Sequence, residues 1–84
     1  MTIAEAGNTG IPASLVLEQK GFLVRREVSK DGGEHWIAER SDFTCIASGA
    51  EALLGLVSVF EVRGEDWFAS DEEIDSFLQR HRLE

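Results

Sequence analysis

The sequence predicts an α+β domain in which a three-stranded antiparallel β-meander precedes two helices packed on one sheet face. Three observations carry that expectation. Asp31-Gly32-Gly33, residues that tolerate positive φ, separate two segments rich in β-branched and aromatic side chains. A second short break, Ser41-Asp42, leads into a third such segment. After it, Ser48–Glu51 and Ser70–Glu73 both read S-x-x-E, which is the capping-box pattern of a helix start.

The elements follow in order. Residues 1–10 contain Gly7, Asn8, Thr9 and Gly10 and read as a flexible leader, so a single small domain is expected over 11–84. Pro12 suits the first turn of a helix and Gly21 suits the position just past its end, framing a short helix over about 12–20. The run SLVL leaves a strand open there as an alternative. Strands are expected over about 22–30, 34–40 and 43–47. A loop of Asp31-Gly32-Gly33 sets Lys30 opposite Glu34, Val28 opposite Trp36, Arg26 opposite Ala38 and Arg25 opposite Glu39. Phe22, Val24, Val28, Trp36 and Ala38 then share one face, whereas a two-residue loop would split the valines from Trp36 and Ala38. Across the Ser41-Asp42 turn, Ala38 meets Cys45 and Ile37 meets Ile46.

Helices are expected over about 49–63, with Gly64 as an αL stop, and about 71–82. The second has acids in its first turns and Arg80, His81 and Arg82 near its end, matching the helix dipole. The first is apolar around much of its circumference. At 100° per residue Glu51, Gly55, Ser58 and Val62 share one narrow face, while Ala52, Leu53, Leu54, Leu56, Val57, Val59 and Phe60 sweep most of the rest. A helix on a sheet needs a stripe of roughly 100° or a little more, so this one requires a second cover. Ile74, Phe77 and Leu78 of the last helix supply a narrow one. The remainder is met either by the N-terminal segment folding back or by self-association through the helix at 50–62. Gly55 and Ser58, with Ala52, form a run of small residues three apart that would admit another helix.

Composition limits the chemistry. The chain has 84 residues, 43% of them hydrophobic and 29% charged, as in a small soluble domain. Sixteen acids against eight bases give a net charge of −8, which disfavours nucleic-acid backbones and anionic membranes. No apolar run approaches the roughly 20 residues of a membrane span, and the first residues lack a signal-peptide pattern. With one cysteine, the expected location is a reducing, bacterial-style cytoplasm. Cys45 should face the core as an inert thiol, with His35 leaving by the opposite face and His81 distant. Two histidines and one cysteine make no zinc spacing, and the acidic stretch 61–75 lacks a calcium-loop pattern. No phosphate-binding glycine motif occurs. The expectation is therefore no enzyme, no cofactor and no metal. Trp36 reads as core. Trp67 and Phe68 either plug the junction between the last two helices or, ringed by acids, anchor a basic partner.

The order DGG–WIAE–SDFTCIASG–EALLGLV, residues 31–57, resembles the meander-to-helix passage of HicB-type antitoxins. It departs at Thr44, where that family's turn has glycine, and at Ala50, where the family has an aspartate-threonine step. A helix also follows where the family has a strand. The αβββα order is similar to the double-stranded-RNA-binding fold, whose function the charge opposes. The functional expectation is a small acidic protein-interaction or regulatory module, self-associating through the apolar helix, with Gly55, Leu56, Ser58 and Val59 as contact residues. The alternative is an antitoxin-like or immunity-like inhibitor that presents Trp67, Phe68, Glu72 and Glu73 to a basic protein.

Overall fold

A computed structural model describes residues 1–82, so the last two positions of the expected 11–84 domain lie outside the described residues. The elements run α1 (Gly10–Gln19), β1 (Leu23–Val28), β2 (Glu34–Arg40), β3 (Phe43–Ala47), α2 (Ala50–Arg63), a 3₁₀ turn (Gly64–Asp66) and α3 (Asp71–His81). The strands form one antiparallel sheet in the order β1-β2-β3. The α+β class and the order of elements are those the sequence predicts, and the N-terminal segment is a helix.

α1 ends in a Schellman motif. Gly21, at φ 93°, donates its N–H to the Glu18 carbonyl, and Phe22 N–H reaches back to Leu17. That closure brings Leu17 and Phe22 together inside the core. Arg40 secures the same corner, with its guanidinium 4.4 Å from the Phe22 ring centre and 2.8 Å from the Lys20 carbonyl.

The hairpin differs in detail from the expectation. Its loop is Lys30-Asp31-Gly32, closed by Ser29 N–H to Gly33 O at 2.7 Å and Gly32 N–H to Ser29 O at 3.0 Å. This is a turn followed by a glycine bulge, with Gly32 at φ 89°. Asp31 explains the choice: its carboxylate accepts from the Ser29 hydroxyl and from Gly33 N–H, fixing both sides of the loop. The register therefore moves by two. Val28 pairs with Glu34, Arg26 with Trp36, Arg25 with Ile37 and Val24 with Ala38, in place of the expected pairs. A two-residue shift keeps every side chain on its expected face, but the end of β1 runs past the helices and Val28 is 56% exposed rather than core. The charge partners are Arg26–Glu34 and Arg25–Glu39, both diagonal in this register. Between β2 and β3 the expected pairs Ala38–Cys45 and Ile37–Ile46 are present.

Two helix termini also depart from expectation. α2 is capped by Gly49 in extended backbone with no side-chain cap, so Ser48 forms no capping box there. Gly64 ends α2 at φ 73°, but with ψ −153° it lies outside the αL region. At α3 the box is complete: Ser70 Oγ accepts from Glu73 N–H at 3.1 Å, and Glu73 Oε1 accepts from Ser70 N–H at 2.9 Å.

The core lies between one sheet face and two helices, and those helices are α1 and α2 rather than α2 and α3. Leu17, Phe22, Ala38, Cys45, Leu53 and Val57 form its buried centre. α1 lies along one flank of α2, tied by the Lys20–Glu61 ion pair at 3.0 Å. The N-terminal segment thus supplies the second cover that α2 requires. α3 buries none of its residues, and its Ile74 and Phe77 remain largely exposed.

Candidate interaction surface

With α1 on the Glu61 side of α2, the opposite flank of that helix is uncovered. It carries Ala52, Leu56 and Val59, the last 39% exposed. Leu56 and Phe60 form a shallow groove of about 200 Å³ with Phe43, Thr44, Cys45, Ile46 and Trp67. The floor of this groove is β3, an outer strand of the sheet.

Backbone alternation shows what β3 offers. Ser29 and Gly33 are a hydrogen-bonded pair. In an antiparallel ladder such pairs alternate with non-bonded ones, so His35, Ile37 and Glu39 turn their backbone groups toward β1. Trp36, Ala38 and Arg40 then turn theirs toward Ala47, Cys45 and Phe43. Thr44 and Ile46 are left aiming N–H and C=O groups outward. Those backbone groups have no partner among the described residues.

The groove has no charge. From Phe43 to Ala50 there is no ionisable group except the Cys45 thiol, which is 5% exposed and whose pKa is pushed up by burial. His35 stands on the other sheet face, on the strand pairing that separates odd from even positions. Cys45 therefore sits as the sequence predicts, between Ala38 and the core face of α2.

The other predicted contact residues divide into groups. Gly55 and Ser58 are exposed on the solvent side of α2, and nothing lies within 4 Å of where a Gly55 Cβ would be. Trp67 is half-buried against the groove and stacks on Phe68 at 4.1 Å, while Phe68 is 72% exposed. Glu72 is exposed. Glu73 is already engaged: Arg63 donates to it at 2.7 Å, and with the Ser70 N–H this holds its carboxyl down at about 2. The structure thus brings Leu56 and Trp67 together in the groove, leaves Val59 exposed on α2 beyond its lining, and sets Gly55, Ser58, Glu72 and Glu73 outside it. The outward backbone of Thr44 and Ile46 is the part that sequence reading missed. Its signal was an uncharged strand at the end of a three-strand meander, hence at a sheet edge.

A second hollow, of about 640 Å³, lies between the starts of α1 and α2, where Ile11, Leu15 and Trp36 face Ala50 and Glu51. Trp36 Nε1–H is satisfied there by Glu34 at 2.8 Å. Among the described residues no three histidine, cysteine or acidic side chains converge in a metal-holding group. Likewise, no helix is long and apolar enough to cross a membrane.

No known family, curated protein or solved structure matches this chain.

Proposed function

We infer that this chain is a non-enzymatic protein-interaction or regulatory module, and that it self-associates along the uncovered flank of α2 and the adjoining β3. One observation carries the reading: a chain of net charge −8 keeps the groove between α2 and β3 free of ionised groups, and among the described residues none from α1 or α3 lines it. Apolar strips on soluble domains are marks of association when they are contiguous and rimmed by polar residues. The scattered exposure of single side chains such as Leu23 needs no such account.

Sedimentation equilibrium from micromolar to millimolar protein tests this. The expected result is a reversible increase in mass with concentration, weakly dependent on salt, that is lost in Val59→Glu. Val59 is exposed enough to accept a carboxylate without unfolding the monomer. A constant monomer mass across the whole range overturns the reading.

A second reading rests on the exposed Phe68 beside Trp67, next to Glu65, Asp66 and Glu72. An aromatic pair ringed by acids suits an inhibitor seated on a basic protein. It predicts salt-sensitive binding that weakens in Phe68→Ala and Glu72→Lys. Glu73 contributes less to such a surface, because Arg63 already neutralises it.

A further inference from the structure

We propose that the occupant of the strip is a second copy of this chain, joined by antiparallel pairing of β3 with β3 across a two-fold axis, so that two three-stranded sheets become one of six strands. The proposal rests on the self-association reading above and specifies its seam.

The first argument is the backbone. Thr44 and Ile46 present unpaired donors and acceptors along an open edge, which is a template for another strand. Edge strands in soluble proteins are ordinarily blunted by lysine, proline, a bulge or an inward charge. The outer strand β1 is so protected, with Arg25, Arg26 and Glu27 in its six residues. β3, Phe-Thr-Cys-Ile-Ala, has none of these devices.

The second argument is symmetry. A pairing centred on Cys45 sets Thr44 of each copy opposite Ile46 of the other. All the outward backbone groups of both residues are then used, as an isologous interface requires. Leu56 and Phe60 of the two copies flank the new seam from the helix side, continuing the apolar groove.

The third argument is charge, and it selects the occupant. Two chains of −8 repel over most of their surfaces, so they can approach closely only where neither is charged. A basic partner would gain little from an uncharged strip and would be drawn to the acids instead. The centred antiparallel register also places each Asp42 opposite Ser48 of the other copy. At about 3.3 Å per residue this separates the two Asp42 carboxylates by roughly 20 Å along the seam, beyond the screening length of about 8 Å at physiological salt. A parallel pairing would set them side by side. The strip is small beside a standard interface, so the dimer is expected in the micromolar range rather than the nanomolar.

Thr44→Pro is the decisive variant. Proline removes an N–H that points outward, so the monomer loses no ladder bond, while the seam loses a donor and meets a ring. Sedimentation equilibrium should show the dissociation constant rising by about 100-fold or more, with the far-UV spectrum unchanged. Ile46→Lys, a charge on the same edge, should act in the same direction. A variant that stays folded and dimeric overturns the β3 seam while leaving self-association standing. A wild-type chain that is monomeric throughout overturns both. Should Thr44→Pro fail to fold, amide exchange on the wild-type chain decides. In the dimer the Thr44 and Ile46 amides should gain protection as concentration rises, while Cys45, already bonded to β2, stays protected throughout. Fast exchange at Thr44 and Ile46 in a chain of dimer mass removes the proposal.

Discussion

Gly55 is the residue whose meaning the structure changes most. An interior helical glycine invites the idea of a close backbone neighbour, but here open space stands above it and the nearest covered flanks of α2 lie elsewhere. Its conformational cost is therefore uncompensated within the fold, and Gly55→Ala should stabilise the chain by about 1 kcal/mol. For a domain of this size that is a rise in midpoint of roughly 4–8 °C, read by thermal unfolding at a concentration where the protein is monomeric. Its association constant should not change, because Gly55 points away from the β3 edge. Weaker association in that variant would move the seam to the small-residue face. Leu53 is the opposite case. It has no exposure at all and sits between the sheet and α1, so Leu53→Ala should cost about 2–5 kcal/mol. Against a total of roughly 4–13 kcal/mol for a chain of this length, that leaves a marginal fold, measurable by urea unfolding.

At the scale of elements, what was legible in the sequence was whatever a local rule governs. Gly21 closes α1 because only a positive φ allows the Schellman bonds, and Ser70 caps α3 because Glu73 stands three residues on. The hairpin and its faces were legible too, since a slip of one would have exposed the core. Its pairing was not: a slip of two keeps the faces, and the carboxylate of Asp31 chose between the two loops through contacts that composition does not reveal. Ser48 failed as a cap for a similar reason, because Gly49 already supplied the extended residue. The β3 edge of the candidate site was visible only as an absence of charge. Glu73 offers the test that belongs here. Its folded-state carboxyl is held at about 2, below the 4.5 it has when free, by Arg63 first and the Ser70 N–H second. A lowered pKa adds stability above the free value and loses it as pH falls through the folded one. The order of α3 should therefore be complete near neutrality and decline between pH 4.5 and about 2, followed by α3 chemical shifts. Glu73→Gln should remove that acid dependence. Asp31 and Glu34, also lowered by their hydrogen bonds, soften the hairpin in the same direction.

At the scale of the molecule, the fold is a packed body with a helix attached. Its radius of gyration is 15.2 Å, whereas a compact chain of this length would have about 12 Å. α3 accounts for part of the difference: it buries nothing and meets the body through the exposed Arg63–Glu73 pair. A solvent-exposed pair of that kind is screened by water and salt and holds an element only weakly. Ending the chain after Ala69 keeps Trp67 over the groove and every residue of the core. The truncated chain should unfold cooperatively, with a midpoint within about 5 °C of the full-length value. Its helical signal should fall by roughly a third, because α3 holds 11 helical residues beside 14 in α2 and 10 in α1. A much larger loss of stability would mean that α3 shares the core. The same truncation bears on assembly. α3 carries the apolar stripe Ile74, Phe77 and Leu78, but it lies beyond the β3 edge in the chain and outside the groove lining. A dimer held by β3 survives its removal, so the truncated chain should sediment with the same dissociation constant as the whole. A truncated chain that became monomeric would show that α3 reaches across to the second copy and that its stripe, not the open strand, is the adhesive surface.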